Sequence, residues 1–364
     1  MRAGLGLALL ALFSCRSATR PESVAPRPPR TAAAPGTYLN PVVDEDFADP
    51  AVLRAGDGFW VYATQVATGA VRINIRVAHT RDLATYDAMG DALPTKPAWA
   101  SHTQDFWAPH VIANGPADFV LYFAAQPDTK TGMCIGVAHA TRAAGPFTDV
   151  GAPLVCGKGF TTIDPFVLDD PATKKRLLYW GSNSAPIVAR ELTPDGLRFA
   201  PGSEVTEVFR PDPAQRYERL IEAPWIVVRD GRYVLFYSGD NCCGKGASYA
   251  VLVARGSSAL GPFTRRDAAH GGPVLLESSA RWLAPGHNAV ATDARGQDWI
   301  VYHAIDTQHP TQPCPAPAGA TCGPDGELPS RRPLLIDRLG WEDGWPQLEG
   351  RSASADARTR PAAW

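Results

Sequence analysis

Three carboxylates in this chain, Asp49, Asp164 and Glu222, each head a hydrophobic strand, and each is followed within two residues by a proline. If a fold gathered them, one could be held protonated as a proton donor and another held ionised to activate water. An isolated Asp-Pro is worthless as a motif, and a single aspartate there is ordinarily a turn residue. The weight comes from spacing. Five stretches share one layout, a lead residue, a strand, a turn and an aromatic-rich second strand: Asp49…Phe59-Trp60-Val61-Tyr62, Trp107…Leu121-Tyr122-Phe123, Asp164…Leu178-Tyr179-Trp180, Glu222…Val234-Leu235-Phe236-Tyr237 and His287…Ile300-Val301-Tyr302. The leads lie 58, 57, 58 and 65 residues apart.

So regular a period, built from short strands, implies repeated sheets around an axis. A second repeated unit completes each sheet. Ile75-Arg76-Val77-Ala78-His79, Ile135-Gly136-Val137-Ala138-His139 and Val251-Leu252-Val253-Ala254-Arg255 are each followed by a turn, Gly-Pro in the last two, and a further strand. Four antiparallel strands make one propeller blade, and Asp57-Gly58 and Asp230-Gly231 suit tight hairpins. The expected fold is therefore all-β, a five-bladed β-propeller over residues 37–349. In such a ring the first strand of each blade lies against the axis, so the lead residues crowd one face. A buried carboxylate is costly unless paired, and three together repel one another and raise at least one pKa. Separated acid and base carboxylates are what cleavage of a glycosidic bond needs. The competing readings are a structural propeller serving as an interaction platform and a surface propeller that binds carbohydrate without cleaving it.

Bulk properties agree with one large domain. The chain has 364 residues, 45% hydrophobic and 20% charged, with 33 Gly and 34 Pro, which suits many turns and few long helices. A formal charge of −2 without a basic run gives no support for nucleic-acid binding. Met1-Arg2 followed by the apolar run Leu5 to Phe13 reads as an export signal, too short to span a membrane as a mature helix. Leu12-Phe13-Ser14-Cys15 resembles a bacterial lipoprotein box, which would place a lipid on Cys15; ordinary cleavage and secretion is the alternative. Residues 16–36 read as a Pro-rich tether, and 350–364 as a disordered tail. Six cysteines remain, and an even count in an oxidising compartment favours disulfides. Cys134 and Cys156 bracket one strand-turn-strand unit, Cys314 and Cys322 bracket a loop, and Cys242-Cys243 could bridge as neighbours.

The ordered set Asn40-Pro41…Phe47-Ala48-Asp49-Pro50, Phe106-Trp107-Ala108-Pro109, Thr162-Ile163-Asp164-Pro165, Ile221-Glu222-Ala223-Pro224, Gly286-His287-Asn288, Tyr302-His303-Ala304 and Arg332…Trp341…Gly344-Trp345-Pro346 resembles glycoside hydrolase family 43. The resemblance implies inverting hydrolysis of α-L-arabinofuranosyl or β-D-xylosyl linkages in plant cell-wall polysaccharides or their fragments, by a monomer without an organic cofactor. It matches Asp49 to the general base, Asp164 to the acid that modulates a pKa, Glu222 to the general acid and Arg332 to a substrate-contacting arginine. His287 matches the axial histidine that in some members helps hold a calcium ion or its water shell. Asn241-Cys242-Cys243-Gly244…Ser248-Tyr249 resembles the arabinan-cleaving branch. One departure is Ala223, where the family's usual residue is glycine.

Other candidates weigh less. His79, His110, His139 and His303 show no zinc spacing and read as hydrogen-bonded structural histidines. Trp107 leads a repeat and could be either core or a platform for a sugar ring. Trp60, Trp180 and Trp225 sit inside strand patterns and read as core. No Gly-x-Ser-x-Gly elbow appears.

Overall fold

Among the described residues, five sheets follow one another in chain order, each built on four strands, and in the second and fourth a further short strand, Val155–Cys156 or Val274–Leu276, pairs with the third strand. Blade I is Ala51–Ala55, Gly58–Ala63, Arg76–Thr80 and Tyr86–Asp91; blade II is Phe106–Gly115, Asp118–Ala125, Cys134–Ala140 and Thr148–Asp149. Blade III is Phe166–Asp169, Arg176–Trp180, Ile187–Leu192 and Thr206–Phe209, and blade IV is Ile221–Arg229, Arg232–Gly239, Ala250–Gly256 and Phe263–Arg265. Trp282–Thr292, Asp298–Asp306, Leu334–Glu342 and Trp345–Gln347 make blade V. Every pairing within a blade is antiparallel. This computed structural model describes residues 1, 33–68, 71–103, 105–312 and 330–364. The candidate export signal and tether up to residue 32, with Cys15, and the Cys314/Cys322 pair lie outside the described residues. Ala33–Trp364 forms one compact unit.

The second strand of each blade is apolar on both faces because both faces are covered. In blade IV, Tyr233, Leu235 and Tyr237 join a cluster shared with blade III, while Val234 and Phe236 join one shared with blade V. Blade II divides likewise, Leu121 and Phe123 toward blade I and Val120 and Tyr122 toward blade III. This period-2 division gives one core per neighbouring pair of blades. A fifth core, with Phe59 and Val61 of blade I against Trp299, Val301 and Ile336 of blade V, closes the ring. Buried tyrosines lock successive blades: Tyr62 donates to the Ala143 carbonyl at 2.7 Å, Tyr122 to that of Gly196 at 2.7 Å and Tyr179 to that of Ala259 at 2.8 Å.

The closure is stitched by the segment before blade I. The Val42 N–H donates to the Leu334 carbonyl at 2.8 Å and the Phe47 N–H to that of Arg332 at 2.9 Å. Asn40 bonds the Ile336 backbone in both directions. The expected disordered tail is instead attached to the ring. Thr37–Tyr38 pairs with Arg358–Thr359, Ala353 and Ser354 are buried, and the Ala362 N–H donates to Asp293 at 3.0 Å. Its polar composition hid these partners, because the bonds are made by its backbone. The Cys134–Cys156 and Cys242–Cys243 disulfides are both formed.

Candidate active site

The start of each inner strand carries a residue in the left-handed region: Asp49 at φ 55°, Ala108 at 48°, Asp164 at 60°, Ala223 at 55° and His287 at 49°. In blades II, IV and V this turn is a bulge, with register breaks between Trp107 and His110, Glu222 and Trp225, and Gly286 and Ala289. A bulge leaves a residue unpaired and re-aims a side chain. It also explains the prolines, which have no ladder N–H to lose: Pro109 and Pro224 lie within the bulges, and Pro50 and Pro165 immediately precede strands. The freed N–H groups are captured by side chains. That of Asp49 donates to His303 Nδ1 at 3.0 Å, that of Ala108 to Thr64 Oγ1 at 3.0 Å, that of Ala223 to Asp164 Oδ2 at 3.0 Å and that of His287 to Ser238 Oγ at 2.8 Å.

Asp49, Asp164, Glu222, His287, Trp107 and Arg332, the six residues singled out from the sequence, all line one cavity of about 400 Å³. Asp49 accepts from Arg332 Nη1 at 3.0 Å and from the Thr64 hydroxyl. His287 Nδ1 lies 3.5 Å from Asp49 and 3.7 Å from Asp164. Burial pushes the Asp49 pKa up, but Arg332, His287, His303 and Thr64 outweigh it and hold the carboxyl well below the usual carboxylate range. Asp164 goes the other way: burial first, then the charges of Glu222 and Asp49, push it well above that range, against the Ala223 N–H. Glu222 is also raised, by burial, although Ser182 Oγ at 2.5 Å and Tyr249 Oη at 2.7 Å donate to its two oxygens. The site thus pushes one carboxyl toward the ionised form and its two neighbours toward the protonated form.

The sequence reading missed several of these partners. Thr64, Ser182, Ser238 and His303 follow the second strands' aromatic runs, and that position was a usable signal. His303, read as a hydrogen-bonded structural histidine, is buried and bonded as expected. Its Nδ1 accepts from the Asp49 backbone, so its proton sits on Nε2, and burial pushes its pKa well down. Tyr249, whose ring stacks on His303 with centroids 5.9 Å apart, explains the glycine of Gly286-His287-Asn288. A Cβ on Gly286 would stand 2.0 Å from that ring. Trp107 is half-buried and stacked on the exposed Phe160 at 6.0 Å, forming an aromatic wall of the cavity. Trp225 is core, packed on Phe166 at 4.9 Å.

Comparison with known proteins gives the same picture. Residues 38–346 match the family described as Glycosyl hydrolases family 43. The chain belongs to that family. It is 26% identical to the extracellular exo-alpha-(1->5)-L-arabinofuranosidase ArbA of Cellvibrio japonicus, over 84% of this chain and 86% of that one. It is 30% identical to the beta-D-galactofuranosidase xynD of Aspergillus niger, over 72% of this chain and 75% of that one. Among solved structures, an alpha-L-arabinanase of Cellvibrio cellulosa superposes with a TM-score of 0.64 at 26% identity, covering 84% of this chain and 95% of that one. This family 43 member is a glycosidase that hydrolyses O-glycosyl bonds.

A calcium ion beside His287 was an implication of the family resemblance. Among the described residues no three His, Cys, Asp or Glu side chains are grouped to hold a metal ion. Calcium takes about six to eight oxygen ligands, whereas the nearest carboxylate oxygens, on Asp49, already accept from Arg332 and Thr64. Among the described residues no direct set of protein ligands for calcium is grouped, and the chemistry is derived from this chain's own side chains.

Proposed function

We propose that the protein is an exported, inverting glycosidase of α-L-arabinofuranosyl linkages, acting on arabinan or arabino-oligosaccharides. The observation that carries this reading is the opposite proton affinity of carboxyls gathered in one cavity: Asp49 pushed toward the ionised form by Arg332, Asp164 pushed toward the protonated form by burial and the charges of Glu222 and Asp49, and Glu222 by burial and Asp49. Asp49 is the base that takes a proton from the attacking water. Glu222 gives its proton to the leaving glycosidic oxygen, and Asp164 keeps that proton on Glu222 until substrate arrives. Inversion requires the water and the leaving group on opposite faces of the sugar. Arg332 orients Asp49 and faces the substrate, and Trp107 offers a ring to a sugar face. The arabinose preference is supported by the Cellvibrio relatives' names and by the Asn241-Cys242-Cys243 stretch, and export by the apolar start of the chain and the extracellular relative. A lipid on Cys15 is part of the proposal. Its test is detergent partitioning that Cys15→Ala abolishes.

The deciding experiment for activity is a product profile on debranched arabinan, arabinoxylan and aryl glycosides of L-arabinofuranose, D-xylose and D-galactofuranose, the last because of the Aspergillus relative. Proton NMR of the first product should show the β-anomer from an α-linked arabinoside. An α-anomer overturns inversion; cleavage of xylosides or galactofuranosides alone overturns the arabinose assignment; cleavage of none returns the chain to a binding propeller.

A further inference from the structure

The loop joining the second and third strands of blade IV does two things at once. It carries the Cys242–Cys243 disulfide, and both cysteines line the cavity that holds the three carboxyls. It then delivers Tyr249 to Glu222. Cys242 packs on the inner side against Tyr249, Ala284 and Ile305. The bridge's backbone is fixed as well: Asn241 Nδ2 donates to the Cys243 carbonyl at 2.8 Å, the Ser248 N–H to the Asn241 carbonyl at 2.8 Å, and the Gly244 N–H to Ser330 Oγ at 2.9 Å. The two bridged cysteines are thereby held, in a loop fixed by its own backbone bonds, beside the same space as the reacting groups.

Nine of the fifteen residues that line this space are polar or charged. Its apolar residues are Trp107 and Phe160 on the blade II side, Ile163 and Leu220, with the bridged Cys242 and Cys243 of blade IV beside them. Disulfide sulfur is soft and polarisable and donates no hydrogen bond, so it suits the C–H face of a sugar and not its hydroxyl edge. Opening the bridge would put two mobile thiols, each a donor, in its place.

We propose that the Cys242–Cys243 bridge is a specificity-determining wall of the substrate site, an apolar surface against which a sugar ring of the bound oligosaccharide packs. This rests on the glycosidase reading but not on which residue is acid or base. The bridge acts in binding, so its loss raises KM by a larger factor than it lowers kcat. A merely structural bridge would instead lower thermal stability with KM unchanged.

The test uses the full-length protein with Glu222→Gln, which binds substrate without turnover and keeps acceptor and donor atoms for Ser182 and Tyr249. A phosphine reductant opens disulfides, its phosphorus taking oxygen from water as each S–S bond becomes two thiols, and alkylation followed by peptide mass analysis reports each bridge separately. Saturating arabinotriose should slow opening of Cys242–Cys243 about tenfold and leave Cys134–Cys156 unaffected as the internal control. In the active enzyme, Cys242→Ala/Cys243→Ala should raise KM for arabinotriose about tenfold, a larger factor than any fall in kcat. Equal opening rates with and without arabinotriose, in a protein whose wild type hydrolyses it, overturn the inference while the activity stands. If wild-type enzyme cleaves xylotriose and not arabinotriose, the arabinose assignment fails, and the same protection measured with xylotriose decides the wall.

Discussion

On the blade I side of the cavity, Asp49 faces a guanidinium at 3.0 Å and accepts from a threonine hydroxyl. On the blade III–IV side, Asp164 and Glu222 are met by a backbone N–H, a serine and a tyrosine, and among the described residues no lysine or arginine lies in ion-pair contact with either. Burial is common to both sides; the counter-charge is not. Desolvation alone drives every carboxyl toward neutrality, and one well-placed cation reverses it. The two sides are also joined. His303 accepts from the Asp49 N–H and stacks on Tyr249, which donates to Glu222. One continuous contact path therefore sets the positions of base and acid while their protonation is set separately.

The largest expected effect strikes the charged side. Asp49→Asn should cut kcat on oligosaccharides and on activated aryl glycosides alike, by about 10,000-fold, because the water loses its base whichever group leaves. It should also destabilise the fold by about 3 kcal/mol, since Arg332 is left buried beside a neutral amide. Urea titrations of both proteins give this second figure. Asp49 has a depressed pKa, so the stability it supplies is present above the unfolded carboxyl pKa and vanishes as pH falls through the folded one. The two proteins should converge in acid. Next comes Glu222→Ala, which should cost about 1,000-fold on arabinan but less than about tenfold on an aryl glycoside with a good leaving group. Equal losses on both substrates would break the assignment of acid and base to opposite sides.

Two milder substitutions sharpen the comparison by moving the alkaline limb of the pH–rate profile in opposite directions. Asp164→Asn removes a charge that holds the proton on its neighbour, so the limb should move to lower pH with partial activity retained. Tyr249→Phe removes a hydrogen bond that favours the ionised Glu222, so the limb should move up. The stability sign for Asp164 is opposite to that for Asp49. Its folded pKa is raised, so its favourable contribution is complete below the unfolded pKa and is lost as pH rises through the folded one. At pH 8 Asp164→Asn should therefore be more stable than wild type by about 1–2 kcal/mol, with the difference fading toward pH 4. A destabilised variant at pH 8 would mean that Asp164 is not held in an unfavourable state.

What the sequence disclosed and what it withheld follow from range. Inner-strand leads recur once per blade, so periodicity alone placed Asp49, Asp164 and Glu222 on one face, and Trp107 and His287 with them. Arg332 has no periodic counterpart and was legible only through resemblance. Ser182 and Thr64 were not read at all, and Tyr249 only as the end of a stretch resembling the arabinan-cleaving branch. They act on a partner in another part of the ring or on a carboxyl across the cavity, and a residue's own neighbours in sequence say nothing of such a contact. The C-terminal segment fails for a related reason: its backbone supplies the pairing with Thr37–Tyr38, and backbone has no composition.

The smallest expected effect concerns Ala223, the alanine at a position where the resemblance calls for glycine. Its φ of 55° lies in the left-handed region, which costs an L-residue with a Cβ roughly 1–2 kcal/mol relative to glycine. Glycine would relieve that cost but would free the unfolded chain by about 0.5–1 kcal/mol. Ala223→Gly should therefore stabilise the fold by up to about 1.5 kcal/mol, a rise of about 1–3 °C in Tm for a chain of this size. The Ala223 N–H, which the substitution preserves, donates to Asp164 at 3.0 Å, so the pH–rate profile should not move. A shifted alkaline limb in Ala223→Gly would show that the methyl, and not only the bond, governs how closely Asp164 approaches Glu222. An unchanged limb with a lower Tm would show instead that the surrounding bulge has adapted to the alanine.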